Sequence, residues 1–229
     1  MSFDRWRSLV DGAEIDVGSD IPDSEDLQIH ADASDKTDVS STWETDIGPD
    51  LSAVGSPSIQ TDEQNGNNAV RYDGENDGHS SGSFASSQTQ PNHLFVVFRA
   101  RETDFGGTLP ILATEDDTNR QDILQDEFGD GEWGLNSGSN IRGASTDTNW
   151  HIASALFNGS NSTLRIDGTQ VASGDAGSDG WPSLTVAYLD WASGNEHAID
   201  VGEILGYQTD KSDIVTDIES YLNDKWAVF

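Results

Sequence analysis

The sequence predicts an all-β protein, a two-sheet antiparallel jelly-roll sandwich closed by one short C-terminal helix. Three observations carry this expectation. Short apolar or alternating segments are separated by turn dipeptides across most of the chain. No long helical pattern lies between those segments, which argues against parallel βαβ units. At 229 residues, the chain suits one sandwich whose core needs no disulfide or metal to hold it.

At the start, Phe3, Trp6, Leu9 and Val10 recur at helical spacing in FDRWRSLV, which predicts a short amphipathic helix. Asp11-Gly12 and Ile21-Pro22-Asp23 are turn signals. Residues 1–26 are therefore expected to be an arm and residues 27–229 the sandwich. An isolated helix this short is marginal in water, so its apolar residues are expected to bury against a partner. The arm thus predicts a homo-oligomer.

From Leu27 onward the signals are β. LFVVFRA (94–100) is an apolar run suited to a strand buried on both faces. LPILATE (109–115) and DILQDEF (122–128) follow. WHIASALF (150–157) and STLRI (162–166) read as a hairpin across the four residues 158–161, and Asp167-Gly168 is a two-residue turn into TQVAS. SLTVAYLDW (183–191) and HAIDVGEILGYQ (197–208) complete the series. In the last segment Ser212 is expected to cap a helix that buries Ile214, Ile218, Tyr221 and Leu222, with Lys225 complementing its dipole.

Charge narrows the function classes. The chain carries 42 acidic residues, 30 Asp and 12 Glu, against 8 Arg and 3 Lys, for a net charge of −31. Such a surface repels nucleic-acid phosphate and anionic lipid, so neither nucleic acid nor membrane is an expected partner. Acid excess with almost no Lys suits concentrated salt, where screening shortens to about 3 Å. There are no cysteines, which excludes thiol catalysis. No apolar run reaches the length of a membrane span or the core of a secretion signal.

Five ordered blocks carry a resemblance: LQIHADASD (27–35), NAVRYDG (68–74), WHIASALFNGSNSTLRIDG (150–168), VGEILGY (201–207) and IESYLNDKWAV (218–228). Together they resemble the laminin-G-like branch of the concanavalin A-like lectin/glucanase superfamily. The resemblance implies the jelly-roll fold, glycan contact, and occurrence among viral structural and surface proteins. RWRSLVDGAEID (5–16) resembles the opening of haloarchaeal viral structural proteins. Lectin-like relatives stack sugars on aromatic faces, which makes Trp133, Trp181 and Trp191 the glycan-binding candidates. Some relatives bind calcium at the sandwich rim, and Asp126, Asp130 and Glu132 are the residues here that resemble such a site; without ordered ligand spacing, no cofactor is expected.

Catalysis finds little support. Glucanases of that superfamily place a Glu-x-Asp-x-x-Glu run on one strand. Glu14-Ile-Asp16 lacks the second Glu, Asp200-Val-Gly-Glu203 has the wrong spacing, and Glu127 through Glu132 is broken by glycines. Gly78-His79-Ser80-Ser81-Gly82 has nucleophile-elbow spacing, but its Ser/Gly/Gln-rich surroundings read as a flexible loop. Asn158-Gly159-Ser160 and Asn161-Ser162-Thr163 fit the glycosylation sequon, although turn chemistry also places such residues there. The expectation is a non-enzymatic virion surface protein of a haloarchaeal virus, on capsid or tail, assembled in the host cytoplasm with other virion proteins and contacting host glycans; on a particle's symmetry axes, its homo-oligomer is expected to be a trimer or pentamer. The alternative is a carbohydrate-binding module of a halophile's cell envelope, and after that a glycan hydrolase.

Overall fold

The computed structural model describes residues 7–10 and 13–16 as backbone, and 21–103, 108–125, 131–190 and 195–229 with their side chains. In chain order the strands are β1 (Arg7–Val10), β2 (Ala13–Asp16), β3 (Leu27–Asp32), β4 (Thr42–Trp43), β5 (Leu51–Val54), β6 (Ser58–Gln64), β7 (Asn67–Asp73), β8 (Gly78–Gln88) and β9 (Asn92–Ala100). They continue as β10 (Leu109–Ala113), β11 (Asp122–Gln125), β12 (Glu132–Asn136), β13 (Asn140–Ser145), β14 (Trp150–Phe157), β15 (Ser162–Ile166), β16 (Thr169–Gly174), β17 (Trp181–Val186) and β18 (Ala198–Tyr207). Helix α1 (Val215–Trp226) follows. It is the only α-helix among the described residues, and it is too short to cross a membrane.

Two eight-stranded antiparallel sheets form the sandwich. The first runs β16-β15-β14-β9-β18-β7-β6, with β3 also pairing β18; the second runs β13-β12-β11-β10-β17-β8-β5-β4. Strand β18 is long enough that β7 pairs with its first half and β3 with its second, while β9 runs along its other edge. In β9 the residues alternate between two buried faces. Leu94, Val96 and Phe98 enter the core between the sheets, whereas Phe95 and Val97 pack under Ile218, Leu222 and Trp226 of α1. The helix thus gives the first sheet a second apolar layer, and β9 is continuously apolar because both its faces are covered.

Local chemistry explains the connections. Asp167 and Gly168 both have positive φ, 51° and 72°, as a two-residue hairpin turn with right-handed twist requires. Residues 158–161 form the four-residue connection between β14 and β15.

Three sequence expectations are corrected. Residues 78–88 form an eleven-residue strand, β8, rather than a loop. The strand is held on one side by β17 and on the other by β5, and His79 and Phe84 point into the core. In the arm, Arg7–Val10 pairs antiparallel with Ala13–Asp16 as a two-stranded sheet, not a helix, setting Arg7 opposite Asp16 and Val10 opposite Ala13. Between the two strands the sequence is Asp11-Gly12, a dipeptide that favours hairpins over helix continuation. Phe3 and Trp6 lie outside the described residues. Finally, Ser212 does not cap α1: its N–H and hydroxyl both bind Asp210 Oδ1, and Ile214 occupies the cap position.

Candidate functional site

The polar residues of interest gather on the outer, helix-side face of the first sheet. There Asp200 of β18 is fully buried between two arginines of the neighbouring strands. Arg71 donates from Nε and Nη2 to its two oxygens at 2.7 and 3.0 Å. Arg99 donates to Asp200 Oδ2 from Nε at 3.1 Å and through a shorter contact from Nη2. Glu63 of β6 closes the ring, accepting from Arg71 and Arg99 at 3.0 and 2.9 Å. A buried carboxylate is tolerated because two forked guanidinium groups satisfy it.

Arg99 also lies 5.2 Å above the ring of Trp150, its direct partner across the β9–β14 register. Beside this pair opens a groove of about 540 Å³ lined by Gln64, Asp147, Thr148, Asn149, His151 and Asp167. His151 fixes one wall. Its Nδ1 lies 2.8 Å from Asp167 Oδ2 and its Nε2 lies 3.0 Å from Asp147 Oδ1. Burial disfavours charge on this imidazole, but Asp167 and then Asp147 outweigh it and raise its pKa. That contribution to stability is present below the ordinary histidine range and is lost as pH rises through the raised value. Both carboxylates are committed further, because Asp167 Oδ1 accepts the Ile152 N–H at 2.9 Å and Asp147 Oδ1 the Asn149 N–H at 2.6 Å. Thr148 and Asn149 are different: both are exposed, and their side chains make no hydrogen bond among the described residues. The groove therefore offers a free hydroxyl and a free amide on a rim held rigid by an ion-paired histidine.

A second polar cluster lies deeper, under α1. The β18–β9 register shifts between Val201 and Glu203, making Gly202 an extra residue. Without this bulge, strand alternation would turn Glu203 into the sandwich core; with it, Glu203 faces the helix. Its carboxylate is met by His30 Nε2 at 3.0 Å, Tyr221 Oη at 3.0 Å, Trp226 Nε1 at 2.8 Å and Lys225 Nζ at 2.8 Å. His30, Asp32 and Glu203 converge closely enough to hold a cation, yet Lys225 Nζ lies 2.6 Å from Asp32 and takes that role itself. The donor set thus favours an internal ammonium over a metal ion.

The bulge requires glycine for a second reason: a Cβ on residue 202 would lie 2.6 Å from the Trp226 ring. Gly202→Ala is expected to cost about 1–3 kcal/mol through overpacking, read as a lower denaturant midpoint at unchanged slope. An unchanged midpoint would mean that α1 does not rest on this strand.

The sequence candidates fare unevenly. Trp133 and Trp181 are 1% and 0% exposed, so neither offers a face for sugar stacking. Trp133 packs edge-on against Phe98 at 5.3 Å and Trp181 against Phe84 at 5.0 Å; both fill the interlayer core, where large aromatics bury the most area. Trp191 lies outside the described residues, as do Asp126, Glu127 and Asp130. Glu132 lies 3.9 Å from Arg142. In the Gly78–Gly82 segment Ser80 is hydrogen-bonded to Glu115, while His79 points to the opposite face and binds Tyr72 Oη and Val39 O at 2.8 and 3.0 Å. Burial lowers the His79 pKa to about 4. The serine therefore has no adjacent imidazole base. Sequence reasoning missed Trp150, Arg99 and His151, because β9 and β14 lie fifty residues apart and only their register brings these side chains together.

Fold and site together define a two-layer antiparallel β-sandwich with a polar groove on its helix-covered sheet. No family model and no curated protein sequence matches the chain. Solved structures do. The binding domain of Paraclostridial Mosquitocidal Protein 1 is similar with a TM-score of 0.65 at 14% identity, covering 88% of this chain and 52% of that one. Trypanosoma rangeli sialidase in complex with sialic acid gives 0.65 at 14%, covering 96% of this chain and 36% of the sialidase. Domain 4 of AbnA, a GH43 extracellular arabinanase from Geobacillus stearothermophilus, in complex with arabinotriose, gives 0.58 at 15%, covering 79% and 91%. The chain thus spans about half of the first structure and about a third of the second. What it shares with them is the fold.

Proposed function

We propose that the chain is a non-catalytic glycan-binding module that holds sugar hydroxyls in the groove beside Trp150. The observation that carries this reading is the unpartnered pair Thr148 and Asn149 on a rim fixed by His151, Asp147 and Asp167. Sugar recognition draws on this combination of hydroxyl, amide and carboxylate groups, while Trp150, buried between Arg99 and Trp226, supports the groove from beneath. Two of the similar structures hold a sugar, sialic acid in one and arabinotriose in the other, which supports the substrate class. Non-catalytic action is proposed because Asp200 and Glu203 are buried in ion pairs and the groove carboxylates already bind His151. The five sequence blocks support placement with the concanavalin A-like modules.

The test is a glycan array with the full chain in molar KCl, followed by titration of the best oligosaccharide. Asn149→Ala is expected to weaken binding about tenfold, the cost of one lost hydrogen bond to a buried ligand. Absence of any bound glycan, or equal binding by Asn149→Ala and Thr148→Ala, would overturn the reading. Release of reducing ends from a glucan would overturn its non-catalytic part. The finer proposal is that the module sits on the surface of a haloarchaeal virion as a trimer or pentamer anchored by residues 1–26, with an envelope module as the alternative. Acidity and the arm's sequence support it, and mass spectrometry of purified virions decides between the two.

A further inference from the structure

The segment joining β14 to β15 carries two consecutive sequons, the second running into β15, and the structure separates them. Asn158 and Ser162 are the turn-makers. Ser162 Oγ accepts the Asn158 N–H at 2.9 Å and donates to Gly159 O at 2.8 Å, and Ser162 is fully buried. The Asn158 amide donates to Asp210 Oδ2 at 3.3 Å. Asn161 contributes to the turn only through its backbone N–H, which binds Asn158 O at 2.9 Å. Its side chain is exposed and makes no hydrogen bond among the described residues. Turn geometry accounts for Asn158 and Ser162; it gives no reason for an amide at 161 or a hydroxyl at 163.

A second feature lies beside it. Ser160, Asn161, Thr163, Gln170 and Ser173 border an open groove of about 380 Å³ whose lining carries no carboxylate. In a chain with 42 acidic residues, this is a neutral surface of hydroxyls and two amides, the chemistry on which a sugar chain lies without displacing charge.

We propose that Asn161 is an N-glycosylation acceptor, modified by an oligosaccharide from a polyprenyl-diphosphate-linked donor under an oligosaccharyltransferase. Asn161 Nδ2 forms a bond to the anomeric carbon of the first sugar as the bond from that carbon to the phosphate oxygen breaks. The electron pair leaves with the polyprenyl diphosphate, and one amide proton passes to a base of the transferase. The hydroxyl of Thr163 supplies the second recognition element of the sequon. Asn158, whose amide is engaged and whose backbone is tied into the turn, stays unmodified. This inference is independent of the groove beside Trp150.

The experiment incubates the folded full chain with a single-subunit oligosaccharyltransferase and its lipid-linked oligosaccharide, beside a sequon peptide that proves the enzyme active, and reads intact mass. Wild type and Asn158→Gln are expected to gain one glycan. Asn161→Gln and Thr163→Val are expected to lose that gain completely, and Thr163→Ser to retain it. Circular dichroism confirms that each variant is folded. No gain on wild type beside a modified peptide, or an undiminished gain on Asn161→Gln, would overturn the proposal.

Discussion

Glu203→Ala is expected to cost about 3–5 kcal/mol, the penalty for breaking a buried ion pair. The substitution takes one partner from four groups at once: the Lys225 ammonium, the His30 ring, the Trp226 indole N–H and the Tyr221 hydroxyl all converge on this carboxylate. It also leaves a void beneath α1, whose Trp226 stacks on Trp150 at 6.1 Å. The effect should therefore reach the groove wall as well as the melting temperature. Acid titration gives an independent reading. Burial alone would raise the Glu203 pKa, but the bonds from His30, Lys225 and Trp226 draw it from 4.5 down to about 2. A depressed folded value means that the stability is present above the ordinary carboxylate range and is lost as pH falls from about 4.5 toward 2. Wild type should lose on the order of 3 kcal/mol across that interval from this group, and Glu203→Gln markedly less. Denaturant titrations at several pH values in that range check both. Parallel curves for wild type and Glu203→Gln would show that the carboxylate is not held charged by its neighbours.

The second large effect is salt. The melting temperature is expected to rise on the order of 10–20 °C between 0.1 M and molar KCl, corresponding to roughly 5 kcal/mol of relieved self-repulsion in a chain of this size. The net charge of −31 is only the start of the argument. Arg71, Arg99, Arg165, Lys211 and Lys225 are drawn into ion pairs on the helix-side face and the segment packed against it. These cations are thereby committed to local ion pairs, and most of the remaining acids among the described residues are exposed or half-buried. Screening shortens from about 10 Å to about 3 Å over this salt range. The buried pairs are screened much less than the surface, so they should hold while surface repulsion fades. A melting temperature that does not move with KCl would refute this account.

The sequence by itself determined the layers. Apolar alternation located β9, β14, β15 and β18, the Asp167-Gly168 dipeptide dictated its turn, and helical spacing placed α1, because these follow from neighbours a few residues apart. Composition likewise announced a surface dominated by carboxylates. What only the tertiary structure decided are matters of register and burial. Trp133 and Trp181 look like stacking platforms when judged by residue type, and their place in the core follows from which face of each strand meets the opposite sheet. β8 hides because its Ser and Gly residues carry little β signal of their own, and β5 and β17 hold it in place from either side. The Gly202 bulge turns Glu203 to the helix side, a one-residue shift in pairing that the letters VGE do not announce. Arg99, Trp150 and His151 meet because β9 pairs with β14. Contacts between residues fifty positions apart are set by how strands align in space, and no local pattern in the chain encodes that alignment.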